Sequence, residues 1–281
     1  MPRLNAAIIA GLAALLSACA PTGLVNLLVP RSGYAVHRGV AYGPDPRQKL
    51  DIYVPDGLKA PAPVLLFFYG GSWESGSRDQ YLAFGQAFAS AGIVTVVADY
   101  RLYPQVRWPA FAQDAASAVA LLHKDIAMYG GDPKRLFVSG HSAGAYNAVM
   151  VASDPKYLES VGGDFSWLRG VIGIAGPYDF LPLKSDDLIE IFHGANNRQI
   201  LPIAHVDGPR PPMLLIHGTA DTTVGPQNTR SMAYTLKTHG SAVEKIYYKD
   251  VGHLGIILSL LPGLRWKAPL RHDMLTFIHT H

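Results

Sequence analysis

The sequence has little cysteine and little charge. One cysteine is present among 281 residues, which excludes an intramolecular disulfide and a zinc site built from several cysteines. Charged residues make up 16% of the chain, whereas an average soluble domain contains roughly 25%. The 24 Lys and Arg residues nearly balance the 21 Asp and Glu residues, and no run of five basic residues occurs. We therefore expect no nucleic-acid partner.

The hydrophobic content is high enough to fill a large core. Hydrophobic residues account for 49% of the chain, which excludes general disorder. At about 150 residues per domain, the length alone suggests nearly two domains. No proline-rich linker, internal repeat or low-complexity tract divides the sequence, however. We therefore expect a single domain over residues 34–281.

The amino terminus is organised like a targeting segment. An apolar run, residues 6–16, is too short to span a bilayer, which needs roughly 20 residues. A Leu-Ser-Ala-Cys box begins at the last residue of this run and ends at Cys19. It resembles the lipoprotein box of bacterial signal peptides. We expect a lipoprotein signal peptide over residues 1–18, a diacylglycerol on Cys19, and a tether over residues 19–33. An ordinary secretory signal with an incidental cysteine is the alternative.

The residue after the cysteine bears on localisation. Ala20 stands where Gram-negative lipoproteins retained at the inner membrane carry an aspartate. The resemblance therefore implies a protein of the cell envelope, held at the outer membrane by a lipid anchor on Cys19.

Strand and helix patterns alternate after residue 34. Residues 34–42 and 48–54 alternate in polarity around a Gly-Pro-Asp-Pro turn, which predicts an antiparallel pair. Further strands are predicted at residues 64–69, 93–100, 136–139, 171–175, 213–217 and 243–249. Helices are predicted between them at residues 80–90, 109–129, 143–153 and 226–239. This alternation predicts an α/β fold with a mostly parallel central sheet flanked by helices.

A Gly-His-Ser-Ala-Gly motif centred on Ser142 carries the strongest chemical signal. It follows a predicted buried strand and opens a predicted helix, which is the context of a nucleophile elbow. Such a turn exposes the serine at the carboxyl edge of the sheet, while Gly140 and Gly144 let strand and helix approach closely. A glycine-rich turn without chemistry is the alternative.

Three further blocks join this motif in a resemblance to α/β-hydrolases. They are Phe67-Phe68-Tyr69-Gly70-Gly71-Ser72-Trp73, Asp99-Tyr100-Arg101-Leu102-Tyr103-Pro104 and Gly130-Gly131-Asp132-Pro133-Lys134-Arg135. The chain is most similar to the hormone-sensitive-lipase-like and acetyl-esterase-like carboxylesterases, over residues 48–281. The resemblance implies the α/β-hydrolase fold, and the short cap regions of this sequence imply a small or absent cap.

The resemblance also implies a catalytic triad in the chain order serine, acid, histidine. Asp221 follows a predicted strand in a His-Gly-Thr-Ala-Asp block, and His253 follows the next predicted strand. In the triad, His253 takes the proton of Ser142 while Asp221 orients the imidazole. Asp250 and His272 are the alternative acid and base. Most other histidines are expected to be structural.

The oxyanion hole of the family consists of backbone amides. Mapped residue by residue, these are the amides of Gly71, Ser72 and Ala143. Tyr69 departs from the family, which carries histidine at this position. Its hydroxyl either braces the loop or donates directly to the oxyanion, as in prolyl-oligopeptidase-like hydrolases.

The sequence defines the substrate pocket less sharply than it defines the triad and the oxyanion hole. Trp73, Tyr146, Tyr178 and Leu254 are candidate pocket residues, and each is also compatible with a packing role. Leu254 opens an apolar run, residues 254–261, that could line an acyl pocket, touch a membrane or form a core helix. In addition, we expect a structural ion pair between Asp99 and Arg101.

These expectations together describe a lipid-anchored serine carboxylesterase. Its substrate would be a small-molecule ester, its intermediate an acyl-enzyme, and it would need no metal or organic cofactor. One alternative is an arylformamidase resembling kynurenine formamidase, which shares the Gly-Gly-x-Trp loop. Esterase activity on acetyl-xylan or feruloyl groups is a further branch. The remaining alternative is a non-catalytic binding lipoprotein on the same fold.

Overall fold

The computed structural model describes residues 29–281. The predicted signal peptide, the predicted lipidation site Cys19 and residues 19–28 of the predicted tether lie outside the described residues. Residues 34–281 build a mixed sheet covered by helices on both faces, which confirms the expected fold class.

The sheet contains eight strands in the described part of the chain. They are β1 (Tyr34–Ala41), β2 (Lys49–Pro55), β3 (Ala62–Phe68), β4 (Val94–Ala98), β5 (Gly131–His141), β6 (Gly170–Ile174), β7 (Met213–Gly218) and β8 (Val243–Tyr248). Their spatial order is β1-β2-β4-β3-β5-β6-β7-β8. The β1/β2 and β2/β4 pairs are antiparallel, and all other pairs are parallel.

Helices connect the strands. They are α1 (Leu82–Ala89), α2 (Ala110–Asp125), α3 (Ala143–Ser153), α4 (Lys156–Glu159), α5 (Asp186–Ile191), α6 (Gln227–Thr238), α7 (His253–Leu258) and α8 (Leu270–Thr280). Short 3₁₀ turns lie at Arg78–Tyr81, Ile126–Tyr129, Phe165–Trp167, Arg198–Ile200, Pro202–His205 and Pro262–Lys267. The segment between β6 and β7 contains only α5 and two of these turns, so the cap is small.

The sheet topology gathers the ends of many elements at one edge. Strands β3 to β8 are parallel and therefore end at the same edge of the sheet. The antiparallel register sets Leu50, near the start of β2, opposite Ala98 at the end of β4. The turn between β1 and β2, residues 42–48, consequently lies at this edge as well.

The central strands are buried because both of their faces are covered by helices. Every residue of β4 and β6 is buried, as expected from their continuous apolar sequences. Helix α3 is also buried along its whole length, because it packs directly on β3, β5 and β6. A side chain at Gly144 would collide with the backbone of Phe68, so only glycine permits this approach.

Some boundaries and one ion pair differ from the sequence-based expectations. Strand β5 runs over Gly131–His141 rather than 136–139, and the predicted helix 109–129 ends at Asp125 before a 3₁₀ turn. The expected Asp99–Arg101 pair is wrong. Arg101 instead binds the fully buried Asp114 of α2, at 2.6 Å from Nη2 to Oδ1, and Asp99 pairs with Arg78.

Candidate active site

Ser142 lies at the sharp turn between β5 and α3. Its backbone has φ of 56° and ψ of −123°, a left-handed conformation that non-glycine residues rarely adopt and that is typical of functional sites. Its amide donates to Ile174 O on the neighbouring strand at 2.9 Å. A side chain at Gly140 would collide with the backbone of Gly144, so the turn requires both glycines. These features are those of a nucleophile elbow.

Asp221 and His253 meet at the same edge of the sheet. His253 Nδ1 lies 2.7 Å from Asp221 Oδ2. The other carboxylate oxygen accepts the amides of Thr223 and Val224, each at 2.9 Å. Because Nδ1 faces a carboxylate, it carries the proton, and Nε2 is left unprotonated for a nucleophile.

A second histidine also contacts this carboxylate. His217 is fully buried, and its Nε2 lies 2.8 Å from Val224 O and 3.3 Å from Asp221 Oδ2. Burial alone would raise the pKa of Asp221, but the hydrogen bonds from His217 and His253 outweigh it. The pKa of Asp221 is therefore well below its usual range, and the residue remains a carboxylate beside the base.

His141, the residue before Ser142, contacts His253. His141 Nε2 donates to His253 O at 3.1 Å, and the two imidazole centroids are 4.7 Å apart. Among residues 29–281, no hydrogen bond within 3.5 Å connects the Ser142 hydroxyl to His253 Nε2. Such contacts are often loose in unliganded sites and tighten when substrate binds.

Three backbone amides near Ser142 have no acceptor within the described residues. No hydrogen bond within the described residues uses the amides of Gly71, Ser72 or Ala143. Ser72 and Ala143 line the same cleft as Ser142. A side chain at Gly70 would come within 2.8 Å of Ser142 Cβ, so the glycine loop lies directly against the nucleophile. Unengaged amides at this position can bind a developing oxyanion.

The chain belongs to the BD-FAE family, whose model matches residues 50–236. It is 31% identical to the probable isoprenylcysteine alpha-carbonyl methylesterase ICMEL1 of Arabidopsis thaliana, over 79% of this chain and 52% of that protein. It is 32% identical to esterase LipC of Mycobacterium tuberculosis, over 88% of this chain and 65% of LipC. The chain thus spans between about half and two thirds of the length of these curated relatives.

Solved structures show the same likeness. The propionate-bound esterase Est2 of Thermogutta terrifontis superposes with a TM-score of 0.71 at 27% identity, covering 89% of this chain and 96% of that one. A truncated carbohydrate esterase from gut microbiota superposes with a TM-score of 0.77 at 20% identity, covering 90% of this chain and 98% of that one. At this lower identity the second likeness shows the shared fold alone.

The Tyr69 hydroxyl in this BD-FAE family member is bound by two other side chains. Tyr69 is fully buried and is absent from the walls of the cleft that holds Ser142. Its hydroxyl donates to Asp99 Oδ1 at 2.8 Å and accepts from Arg47 Nη2 at 2.7 Å. Since its only proton is used on Asp99, the geometry favours the bracing role over direct donation to an oxyanion.

The cleft beside Ser142 has a volume of about 610 Å³. Trp73 forms part of its wall, as expected. Tyr146 and Tyr178 do not: both are fully buried, and Tyr146 packs edge-on behind Trp73 with ring centroids 5.2 Å apart. Leu254 is 60% exposed and also lies outside the lining. Of the four candidate pocket residues, the lining of this cleft therefore includes Trp73 alone.

Sequence reasoning missed most of the cleft wall. The segment after β6 contributes Pro177, Asp179, Phe180, Leu181, Pro182, Leu183, Lys184, Ser185 and Leu188, and the start of α6 contributes Gln227 and Asn228. This segment lies between β6 and β7, the strand that precedes Asp221, and that position was the available signal.

Within residues 29–281, no three His, Cys, Asp or Glu side chains converge to hold a metal ion. In the same part of the chain, every helix is too short or too polar to cross a membrane.

Proposed function

We propose that the protein is a serine carboxylesterase that hydrolyses small-molecule esters through an acyl-enzyme. The observation that carries this proposal is a strained serine at a cleft, amides without acceptors beside it, and an Asp221–His253 pair that contacts the residue before the serine. The likeness to proteins named as esterases supports it.

In the first half-reaction, the Ser142 hydroxyl oxygen attacks the ester carbonyl while His253 Nε2 takes its proton. The negative charge that develops on the carbonyl oxygen is met by the amides of Gly71, Ser72 and Ala143, each worth about 3 kcal/mol in the transition state. His253 then gives the proton to the departing alkoxide, and the carbonyl remains bonded to Ser142. The ionised Asp221 stabilises the imidazolium that forms in between.

In the second half-reaction, water takes the place of the alcohol. His253 Nε2 removes a proton from the water as its oxygen attacks the acyl carbon, and the same amides bind the new oxyanion. The proton then returns to the Ser142 oxygen as the acyl bond breaks. The acid is released and the enzyme regains its starting state.

The test is hydrolysis of p-nitrophenyl acetate, butyrate and octanoate by the wild type and by Ser142→Ala. Ser117→Ala on α2 is the matched control, because its exposed hydroxyl bonds only to Gln113 O of its own helix. We expect turnover in the wild type and control, with loss of at least about a thousandfold in Ser142→Ala. A burst of nitrophenolate equal to the enzyme concentration would mark the acyl-enzyme.

Retained turnover in Ser142→Ala would refute the proposal. A folded wild type that cleaves none of these esters would also refute it, and hydrolysis of an aryl formamide would then identify an amide hydrolase. Failure on both substrate classes would indicate a binding protein on this fold.

We also propose that Cys19 carries a lipid and holds the protein at the outer membrane. The Leu-Ser-Ala-Cys box after a short apolar run supports this. Growth with radiolabelled palmitate should label the wild type and leave Cys19→Ser unlabelled, and membrane fractionation should place the label with outer-membrane markers. Equal labelling of both proteins would contradict the lipid anchor, and label in the inner membrane would contradict the localisation.

A further inference from the structure

The glycine loop that supplies the proposed oxyanion amides is strained. Gly71, Ser72 and Trp73 follow one another with φ values of 132°, 55° and 62°. The last two are not glycine, so their left-handed backbone costs free energy and persists only where surrounding contacts hold it. The loop therefore needs firm attachment at both ends if its amides are to stay aimed at one point.

The guanidinium of Arg47 holds both ends of this glycine loop. Arg47 Nη2 donates to Tyr69 Oη at 2.7 Å and to Gly76 O at 2.9 Å. Its Nε donates to Tyr100 O at 2.9 Å. Tyr69 precedes the strained residues and Gly76 follows them, so Arg47 joins the start and the end of the loop.

A carboxylate completes the attachment from the opposite side. Asp99 Oδ1 accepts the Tyr69 hydroxyl at 2.8 Å and the Arg78 amide at 2.7 Å. Burial, together with Tyr100 and Asp99, raises the pKa of Tyr69 far above its usual value, so the hydroxyl keeps the proton it donates. The tyrosine oxygen is thereby held between a cation that donates and an anion that accepts.

Arg47 comes from outside the segment that the BD-FAE family model matches, residues 50–236. It lies in the turn between β1 and β2, where Asp45 Oδ1 accepts its amide at 2.8 Å. Tyr42 anchors the same turn by donating to Asp99 O at 2.6 Å. The antiparallel hairpin thus carries the guanidinium to the sheet edge where the glycine loop begins.

We propose that Arg47 is a positioning residue of the oxyanion hole. By binding Tyr69 Oη and Gly76 O, it holds the strained loop so that the amides of Gly71 and Ser72 stay directed at the carbonyl oxygen of a substrate attacked by Ser142. This inference rests on the proposed esterase function. It assigns to the amino-terminal hairpin a part in transition-state binding.

The test compares Arg47→Ala with Arg38→Ala. Arg38 is the matched control: it lies in the same hairpin, pairs with Asp51 at 2.9 Å and has no hydrogen bond to the glycine loop. We expect kcat of Arg47→Ala on p-nitrophenyl butyrate to fall ten- to a hundredfold with KM within twofold, because misaligned amides are felt in the transition state. Arg38→Ala should keep kcat within twofold.

Two further experiments distinguish a positioning role of Arg47 from a general destabilisation of the fold. Guanidinium at low millimolar concentration should partly restore kcat of Arg47→Ala, since the Arg47 side chain is 34% exposed and leaves an open space when removed. It should not raise kcat of Arg38→Ala. In Tyr69→Phe the contact with Arg47 is already lost, so the double variant should lose less kcat than the product of the two single losses.

Hydrogen exchange gives a readout that needs no turnover. The amides of Glu74 and Ser75 donate to Gly71 O at 3.0 Å and 3.1 Å, and should exchange faster in Arg47→Ala than in the wild type or Arg38→Ala. Equal exchange and equal kcat in the two variants would overturn the positioning role. If Arg47→Ala exchanges faster but the wild type hydrolyses no ester, the loop attachment by Arg47 stands and the proposed function is overturned.

Discussion

Acidification should destabilise the protein through His141, well above the pH at which its carboxylates titrate. His141 is 2% exposed, precedes Ser142 in the chain and contacts His253. Burial, with the neighbouring His253, lowers the pKa of His141 to about 3. In the unfolded chain the pKa of a histidine is about 6.5. The folded protein therefore keeps this imidazole neutral at a pH where the unfolded chain protonates it.

The sign and size of the effect follow from this difference. Below pH 6.5 His141 is protonated in the unfolded state but stays neutral in the folded state, which favours unfolding. Its contribution to the free energy of unfolding is therefore fully present only above that pH. The contribution decreases as pH falls from about 6.5 towards 3, by up to about 1.4 kcal/mol per pH unit. Between pH 7 and pH 5 the free energy of unfolding should decrease by about 2 kcal/mol. Asp221, whose pKa is lowered, loses its stabilisation only below about pH 4.

Urea unfolding at pH 7 and pH 5 measures this loss. The matched variant is His141→Gln, whose amide nitrogen can still donate towards His253 O but does not titrate. We expect the wild type to lose about 2 kcal/mol more than the variant between the two pH values. The same pH dependence in both proteins would refute the reasoning, because another group would then carry the proton.

Two further substitutions test the site. Asp221→Asn should lower kcat by about 10⁴-fold, because the amide would favour the wrong tautomer of His253; steady-state kinetics on p-nitrophenyl butyrate measures it, and a loss under tenfold would contradict the assigned acid. Trp73→Ala should raise the ratio of octanoate to acetate turnover several-fold, since Trp73 forms part of the cleft wall; an unchanged ratio would show that the acyl chain lies elsewhere.

The fold could be predicted from the sequence because its signals are local. Continuous apolar runs mark strands covered on both faces, and the glycine and proline residues between them mark the turns. The positions of Ser142, Asp221 and His253 follow from the same pattern. Each comes directly after a strand of the parallel sheet, and such strand ends share one edge. Motif and topology therefore place the three residues together without any knowledge of side-chain contacts.

The pocket and the ion pairs could not be predicted, because they depend on which elements become neighbours. Tyr146 lies on a helix that is buried all round, so its ring supports Trp73 from behind instead of facing the cleft. Arg101 is close to Asp99 in sequence, yet the buried carboxylate of Asp114 accepts its amide at 2.8 Å and also binds its guanidinium. The fold places Asp114, not the nearby Asp99, at the Arg101 guanidinium, so sequence proximity does not select the partner here.

Tyr69 stands where the sequence resemblance implies a histidine, and its hydroxyl accounts for the contact with a remote arginine. A neutral imidazole offers one donor and one acceptor on separate ring atoms, whereas the Tyr69 hydroxyl must serve both purposes with a single oxygen. Asp99 accepts the hydrogen bond from this hydroxyl, and the remaining lone pairs of the buried oxygen need a donor. Arg47 supplies it and uses its second Nη2 hydrogen on Gly76 O. In this chain, bracing of the glycine loop is therefore a property of the tyrosine, the arginine and the aspartate together.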